Sequence, residues 1–275
     1  MLKENNKFAL VRKSSSAVEK TAPGAKRILS GMVGDTLGLA RKTESKEVRV
    51  SDVQLEKWYL TGEKYYFGEG VAKDAVEAVK WFRKAAEQNH AKAQCALGNC
   101  YCSGEGVTKD YVEALNWYRK AAEKNYAGAE FRLGYCYREG EGVAKDYAES
   151  VKWFRRAAEH GSGRQAQYNL GVFYEKGEGV ERDYAEAVKW YRKAAEENHA
   201  QAQYNLGVCY EKGHGVQQNF PEAYKFYKLA ANTRPFEDRE IFAENLKRIV
   251  AQMTAAEIAE GERRYQEFRP QKNFE

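Results

Sequence analysis

The string GEGVERDYAEAVKWYRKAAEENH, which begins at Gly177, is written five times in this chain with small changes. The other copies start at Gly68, Gly104, Gly140 and Gly213, so successive starts lie 36, 36, 37 and 36 residues apart. A fixed period in the thirties marks a solenoid, in which each unit is one supersecondary element that buries its apolar face only against its neighbours. The 275 residues would suggest two globular domains by length alone. An array grows along one axis, so the period predicts one elongated body instead.

Within residues 91–126, Ala93, Leu97, Cys100 and Tyr101, then Ala114, Trp117, Tyr118 and Ala121, recur at helical spacings of three and four. That spacing predicts two amphipathic helices per repeat, A and B. Gly104 and Gly106 separate them, because glycine closes a helix in the left-handed region without a side-chain clash. Helix B opens each time on a cap pattern: Asp74-x-x-Glu77, Asp110-x-x-Glu113, Asp146-x-x-Glu149, Asp183-x-x-Glu186 and Asn219-x-x-Glu222. Each is expected to be a capping box, the first side chain accepting a backbone N–H and the glutamate reaching back, so these carboxylates are caps and not catalysts. The columns Trp81, Trp117, Trp153, Trp190, Phe226 and Phe82, Tyr118, Phe154, Tyr191, Tyr227 supply large rings to helix B, and Ala85, Ala121, Ala157, Ala194 and Ala230 leave room beside them. Alternating large and small side chains is how packed layers interdigitate, and the rings read as core.

Charge narrows the function classes. The net charge is +5, yet residues 1–50 alone carry 11 basic against 5 acidic side chains, which leaves the remaining 225 residues near −1. A near-neutral body lacks the basic stripe expected of a nucleic-acid binder, so no nucleic acid is expected as partner. The opening MLKENNKFALVRK holds only the short apolar run FALV, too little for a secretory signal, and no run reaches a membrane span. With an odd number of cysteines, five, the expected compartment is the cytoplasm.

Little in the sequence asks for chemistry. Cys100, Cys136 and Cys209 share one repeat position and are expected in the packing column of helix A; Cys95 and Cys102 are expected on the opposite face and open to labelling. Two-by-two zinc spacing is missing, the glycine pairs precede no Lys-Ser/Thr, and His90, His160, His199 and His214 read as solvent-facing turn residues. Neither a metal nor a cofactor is expected.

The succession Leu-Gly-x-x-Tyr, Gly-x-Gly-Val, Asp-Tyr-x-Glu-Ala, Trp-Tyr and Ala-Ala resembles the Sel-one-like repeat family, the variant of the tetratricopeptide fold with a slightly longer unit. The resemblance covers residues 59–232, with Thr61 standing for the leucine and Ala75 for the tyrosine in the first copy. The later stretch ENLKRIVAQMTAAEIAEGERRYQEF resembles the helical cap that ends many bacterial members, with Thr254-x-x-Glu257 capping its last helix. The implied fold is an all-α, right-handed α–α superhelical solenoid of tetratricopeptide-like helix pairs. The implied role is a non-catalytic scaffold or adaptor, in bacteria often tied to envelope, signalling or host-interaction pathways. Cysteine-rich members of the family pair a helix A cysteine with one in the Ala-Ala stretch; here that stretch reads KAA, KAA, RAA, KAA and LAA. The pairing framework is absent, and a β-lactamase-like activity is the weaker alternative.

The expected organisation is a basic segment over 1–50, five repeats over 51–232 and a helical cap over 233–275. In the first, Ile28, Leu29, Met32, Val33 and Leu37 share one helical face flanked by Lys26, Arg27, Arg41 and Lys42. That helix is expected to dock on the first repeat; the alternative is a basic amphipathic segment that meets an anionic membrane surface or a partner helix. Residues 1–22, poor in apolar surface, are expected to be mobile. A protein or peptide partner is expected on the concave face lined by helix A, at positions two before, two after and five after the repeat leucine. Those positions are Cys95, Asn99 and Cys102, then Phe131, Tyr135 and Arg138, then Tyr168, Val172 and Glu175, then Tyr204, Val208 and Glu211. Aromatic residues beside charged ones make anchor pockets with a polar rim.

Overall fold

The computed structural model describes residues 50–232 and 239–268, all inside one compact unit, Val48–Glu275. The expectations for residues 1–49, both the mobile start and the amphipathic helix, lie outside the described residues. Among the described residues there are twelve helices and no strand, an all-α repeat solenoid. The A helices are α1 (Asp52–Phe67), α3 (Ala91–Ser103), α5 (Ala127–Glu139), α7 (Gly163–Lys176) and α9 (Ala200–Lys212). Their B partners are α2 (Ala75–Ala86), α4 (Tyr111–Ala122), α6 (Tyr147–Glu159), α8 (Tyr184–Glu196) and α10 (Phe220–Asn232), and α11 (Arg239–Val250) and α12 (Ala255–Glu267) follow.

The helix ends form for the reasons the repeat suggests, with one correction. Asp146 Oδ1 accepts the Glu149 N–H at 2.9 Å, and Asp74, Asp110, Asp183 and Asn219 cap their helices in the same way. The glutamates, however, do not reach back: Glu77, Glu149, Glu186 and Glu222 turn forward onto Lys80, Lys152, Lys189 and Lys225 at 2.6–2.8 Å. A lysine three residues on offers a full charge, which competes successfully with a neutral backbone N–H. The reciprocal box closes at Thr254 and Glu257, ahead of α12; at Asp110 and Glu113, where Asn116 stands in place of the lysine, the cap is one-sided as in the other repeats.

Two glycines per repeat serve different purposes. Gly140 ends α5 with φ +80° and donates its N–H to Cys136 O, a left-handed cap. Gly142, at φ +71°, lies where an added Cβ would fall 2.4 Å from the carbonyl oxygen of Tyr111, at the start of the preceding B helix. Its counterpart in the first repeat, Gly70, has nothing within 4 Å because no repeat precedes it. The second glycine therefore belongs to the joint between repeats.

Inside each repeat one B-helix ring lies flat on an A-helix glycine. A Cβ on Gly171 would meet the Tyr191 ring at 2.5 Å, and Gly62, Gly98, Gly134 and Gly207 stand in the same relation to Phe82, Tyr118, Phe154 and Tyr227. All five rings are buried, and each such burial stabilises the fold by about 1.5–3 kcal/mol. The other ring column works between repeats: Trp117, Trp153, Trp190 and Phe226 each pack against the core of the repeat before. After the array, α12 lies on α10, with Gly261 against Tyr224 and Arg264 paired to Glu222 at 2.8 Å.

Candidate functional site

The A-helix positions singled out in the sequence fall at the joints between successive A helices, and most of them are half-buried. On α3, Asn99 Oδ1 accepts the Tyr118 hydroxyl at 2.9 Å. On α5, Phe131 and Tyr135 meet edge to face with ring centres 5.1 Å apart, both rest on Phe154, and the Arg138 guanidinium stacks 4.2 Å over Tyr135. Arg138 also reaches the next A helix, donating to Asn169 Oδ1 at 2.8 Å. A hollow of about 230 Å³ opens there, lined by Arg138, Asn169 and Val172 among others.

On α7, Tyr168 stacks on the His199 ring at 4.6 Å, and Glu175 accepts the Tyr191 hydroxyl. On α9 the same register is covered by α11. Tyr204 stacks on Phe242 with centres 4.9 Å apart, Val208 packs with Leu246 and Ile249, and Glu211 holds Arg248 at 2.7 Å while accepting the Tyr227 hydroxyl at 2.5 Å. The hydrogen bond from Arg248, helped by that from Tyr227, holds the Glu211 carboxyl below its usual range against the opposing effect of burial. Burial pushes the phenols of Tyr118, Tyr191, Tyr204 and Tyr227 upward, so they remain neutral donors.

The residue just before an A helix, or in the last case a ring on α11, covers a side chain of the A helix before it. His90 faces Tyr59, Tyr126 packs with Cys95, His199 covers Tyr168, and Phe242 covers Tyr204. Ahead of α7 the corresponding residue is Ser162. The ring pair on α5 is the one with no aromatic cover supplied from that place.

Two sequence readings are corrected by this register. Cys95 is 6% exposed, not open, because Tyr126 and the start of α5 lie over it, and burial pushes its thiol up to about 12. Cys102 is the thiol that stays partly accessible, and all five cysteines are free. His160 is an exposed residue of the turn after α6, as read, but His90, His199 and His214 are at least half-buried. His199 is 8% exposed and caps α9, its Nδ1 accepting the Ala202 N–H at 3.2 Å while Nε2 meets Gln165 Oε1 at 3.0 Å. His90 and His160 hold Glu56 and Glu130 at 3.0 and 2.8 Å, and His214 packs on Tyr184.

A second set of residues went unnoticed in the sequence. Gln94, Glu130, Gln167 and Gln203 occupy one A-helix position and are all buried. Three of them pair with the residue 30 further on, in the turn after helix B: Lys124, His160 and Glu197. The legible signal was a polar side chain repeated between alanines, in AKAQ, AGAE, RQAQ and AQAQ.

Among the described residues no group of three His, Cys, Asp or Glu side chains is placed to hold a metal ion, and no helix is long and apolar enough to cross a membrane. What the A-helix face offers is shape, rings and paired charge.

The Sel1 repeat model matches residues 59–90, 91–126, 127–162, 164–199 and 200–232. A Sel1 repeat protein from Oxalobacter formigenes is 38% identical, with a TM-score of 0.66 over 77% of this chain and 87% of that one. A protective antigen of uropathogenic Escherichia coli displaying an SLR fold is 32% identical, with a TM-score of 0.69 over 78% of this chain and 46% of that one. This chain therefore spans less than half the length of the E. coli protein. No curated protein matches. Sel1 repeat proteins are typically non-enzymatic and generally act as scaffolds that bind protein partners. With five repeats matched in sequence and the helix pairs shared with both solved structures, this chain belongs to the Sel1 repeat family.

Proposed function

We propose that this protein is a non-catalytic scaffold, working in the cytoplasm, that receives a segment of a partner protein along the A-helix face, centred on the joint between α5 and α7. The observation that carries this reading is the gap in the covering pattern. Where other joints place His90, Tyr126, His199 or Phe242, this one has Ser162, beside the Phe131–Tyr135 pair and the hollow at Arg138, Asn169 and Val172. The contacts that α11 makes on α9, an aromatic ring on Tyr204 and a cation on Glu211, indicate the kind of side chains a helix uses to occupy this register. Asn99, Glu175, Val208 and Glu211 then extend or limit the groove at its two ends.

The test is affinity capture with the full chain and with Arg138→Glu, the captured proteins being identified by mass spectrometry. The reading expects a partner lost from the variant, with an unchanged melting temperature. An identical captured set from both proteins overturns it. Turnover of nitrocefin by the purified chain would overturn the non-catalytic part.

A further inference from the structure

The first A helix faces outward with a different surface from the rest. In α3 the column that packs against the B helix before it is Ala93, Leu97 and Cys100, all buried, and α5, α7 and α9 repeat it as Ala-Leu-Cys or Ala-Leu-Phe. In α1 the same three positions hold Lys57, Thr61 and Lys64. A further repeat stacked there would have to desolvate two ammonium groups, so the repeat joint ends at α1. The reverse exchange occurs beside that column. Leu60 stands where the later A helices carry Ala, Arg, Asn and Asn, and Phe67 where they carry Ser, Glu, Lys and Lys. Val53, Leu60 and Phe67 are 81%, 46% and 61% exposed, and five of the seven large apolar side chains exposed among the described residues fall within 53–76. The opposite end of the array is closed by charge, Arg263 of α12 pairing with Glu260 and Glu267 at 2.7 Å. A terminal unit ordinarily turns a polar face to solvent, so an apolar line on α1 marks an interaction surface.

Val53, Leu60 and Phe67 lie seven residues apart. Seven residues fall about 20° short of two turns, so the three form a nearly straight line with steps of about 10.5 Å. Glu56 and Glu63 come three residues after Val53 and Leu60, and Lys57 and Lys64 come four after. Helical geometry therefore sets the glutamates along one side of the line and the lysines along the other. Glu56 is held by His90 and Lys92 at 3.0 Å, and Glu63 accepts the Tyr59 hydroxyl at 2.5 Å, which fixes both carboxylates; Lys57 and Lys64 are exposed. An open hollow of about 900 Å³ follows the line, lined by Val53, Leu60 and both Glu-Lys pairs, with Thr61 and His90 beside them and Asp52 and Glu69 at its ends.

A rim that is anionic on one side and cationic on the other disfavours an occupant of single sign. A helix with basic flanks alone, such as residues 26–42, would set part of its charge against Lys57 and Lys64. The surface with the matching order is a second α1. Two copies side by side and parallel, related by a two-fold axis along the seam, bring the glutamates of each opposite the lysines of the other. An antiparallel pair would set glutamate beside glutamate and lysine beside lysine.

We propose that Val53, Leu60 and Phe67, with their Glu-Lys flanks, are a self-association seam through which two copies of this chain pair with α1 parallel to α1. The seam is narrow, three apolar side chains per copy, so the association is weak and in the micromolar range. It stands apart from the joint between α5 and α7 and does not rest on the reading given for that joint.

Sedimentation velocity of the full chain between about 1 and 100 µM is expected to show monomer giving way to dimer, less readily as salt is raised. Leu60→Glu should weaken the dimer about tenfold or more without lowering the melting temperature, because the side chain it replaces is exposed. Lys57→Glu with Lys64→Glu, and Glu56→Lys with Glu63→Lys, should each be monomeric, and an equimolar mixture of the two should restore the dimer. A folding defect cannot produce that restoration. Orientation is read by oxidation: Val53→Cys and Phe67→Cys should each form a disulfide with its own counterpart, above the level given by the parent's cysteines. A dimer indifferent to Leu60→Glu, a mixture that stays monomeric, or a cross-link with Leu60→Cys alone would overturn the proposal. A parent monomeric at about 100 µM would do so too, and if Leu60→Glu then lowered its melting temperature the seam would belong to residues 26–42 of the same chain.

Discussion

Arg156 Nη2 lies 2.9 Å from Oε1 of Glu130, a carboxylate whose side chain is wholly out of contact with solvent. Three other repeats have glutamine in that place, and Gln94 and Gln203 use their amide N–H to donate to Ala86 O and Ala195 O in the turn before. A carboxylate cannot donate. In the third repeat Arg156 supplies the missing hydrogen bond, Nη2 donating to Ala122 O at 3.1 Å, and neutralises Glu130 at the same time.

Arg156→Ala leaves a buried carboxylate with His160 as its remaining partner. Removing one member of a buried pair costs about 3–5 kcal/mol, and the 40% exposure of the arginine side chain reduces that to roughly 2 kcal/mol. Glu130→Gln combined with Arg156→Lys restores the combination found in the second and fourth repeats, and is expected within about 1 kcal/mol of the parent. Urea denaturation of the two single variants and the double variant measures the coupling. A fully additive cycle would show that the pair does not act as a unit.

His199 sets an acid limit on stability. Its Nδ1 accepts the Ala202 N–H, which requires the neutral ring, and burial, with the charge of Arg164 adding to it, brings its pKa down to about 4 from the usual 6.5. The unfolded chain therefore binds a proton that the folded chain refuses. The stabilisation is complete above pH 6.5 and is lost as pH falls toward 4, by roughly 2–3 kcal/mol in all. Asparagine can cap α9 without titrating, so His199→Asn is expected to flatten the melting temperature between pH 6.5 and 4 relative to the parent. Parallel curves for the two proteins would be inconsistent with a neutral buried ring.

Gly171→Ala tests the ring-on-glycine packing. The new methyl would meet the fully buried Tyr191 ring at 2.5 Å, and such overpacking costs about 1–3 kcal/mol, more than the ~1 kcal/mol that alanine adds to helix propensity. A net loss of up to about 2 kcal/mol in thermal unfolding is expected. Gly70→Ala, in open space at φ +72°, should show only the smaller cost of its left-handed backbone. A more stable Gly171→Ala protein would mean that the ring is free to move aside.

The thiols differ enough to be counted. Burial pushes Cys100 up to about 11 and Cys95, Cys136 and Cys209 up to about 12, and Cys102 is raised as well but is the one cysteine not buried. Native protein treated with a thiol-specific disulfide reagent at pH 8 should give one fast-reacting equivalent. Cys102→Ser should abolish that phase, and a second fast thiol would contradict the burial of Cys95.

The features legible in the sequence are those whose partners sit within a few residues or recur with the period. Asp146 caps α6 through a bond to its third neighbour, Gly140 closes α5 through its own backbone, and the Trp and Tyr columns announce themselves by repetition. Helical geometry alone determines such contacts, because residues three and four apart must share a face. What only the tertiary structure decided are the contacts between elements: Glu130 with His160 and Arg156, Tyr126 over Cys95, the neutral ring of His199, and α11 across Tyr204 and Glu211. Those depend on how far each helix pair is rotated against the next, a quantity set by the packing of all the rings and glycines at every joint together. The sequence marks the third joint by its 37-residue step and its Ser162; the packed joint alone shows that the Phe131–Tyr135 pair is what loses its aromatic cover.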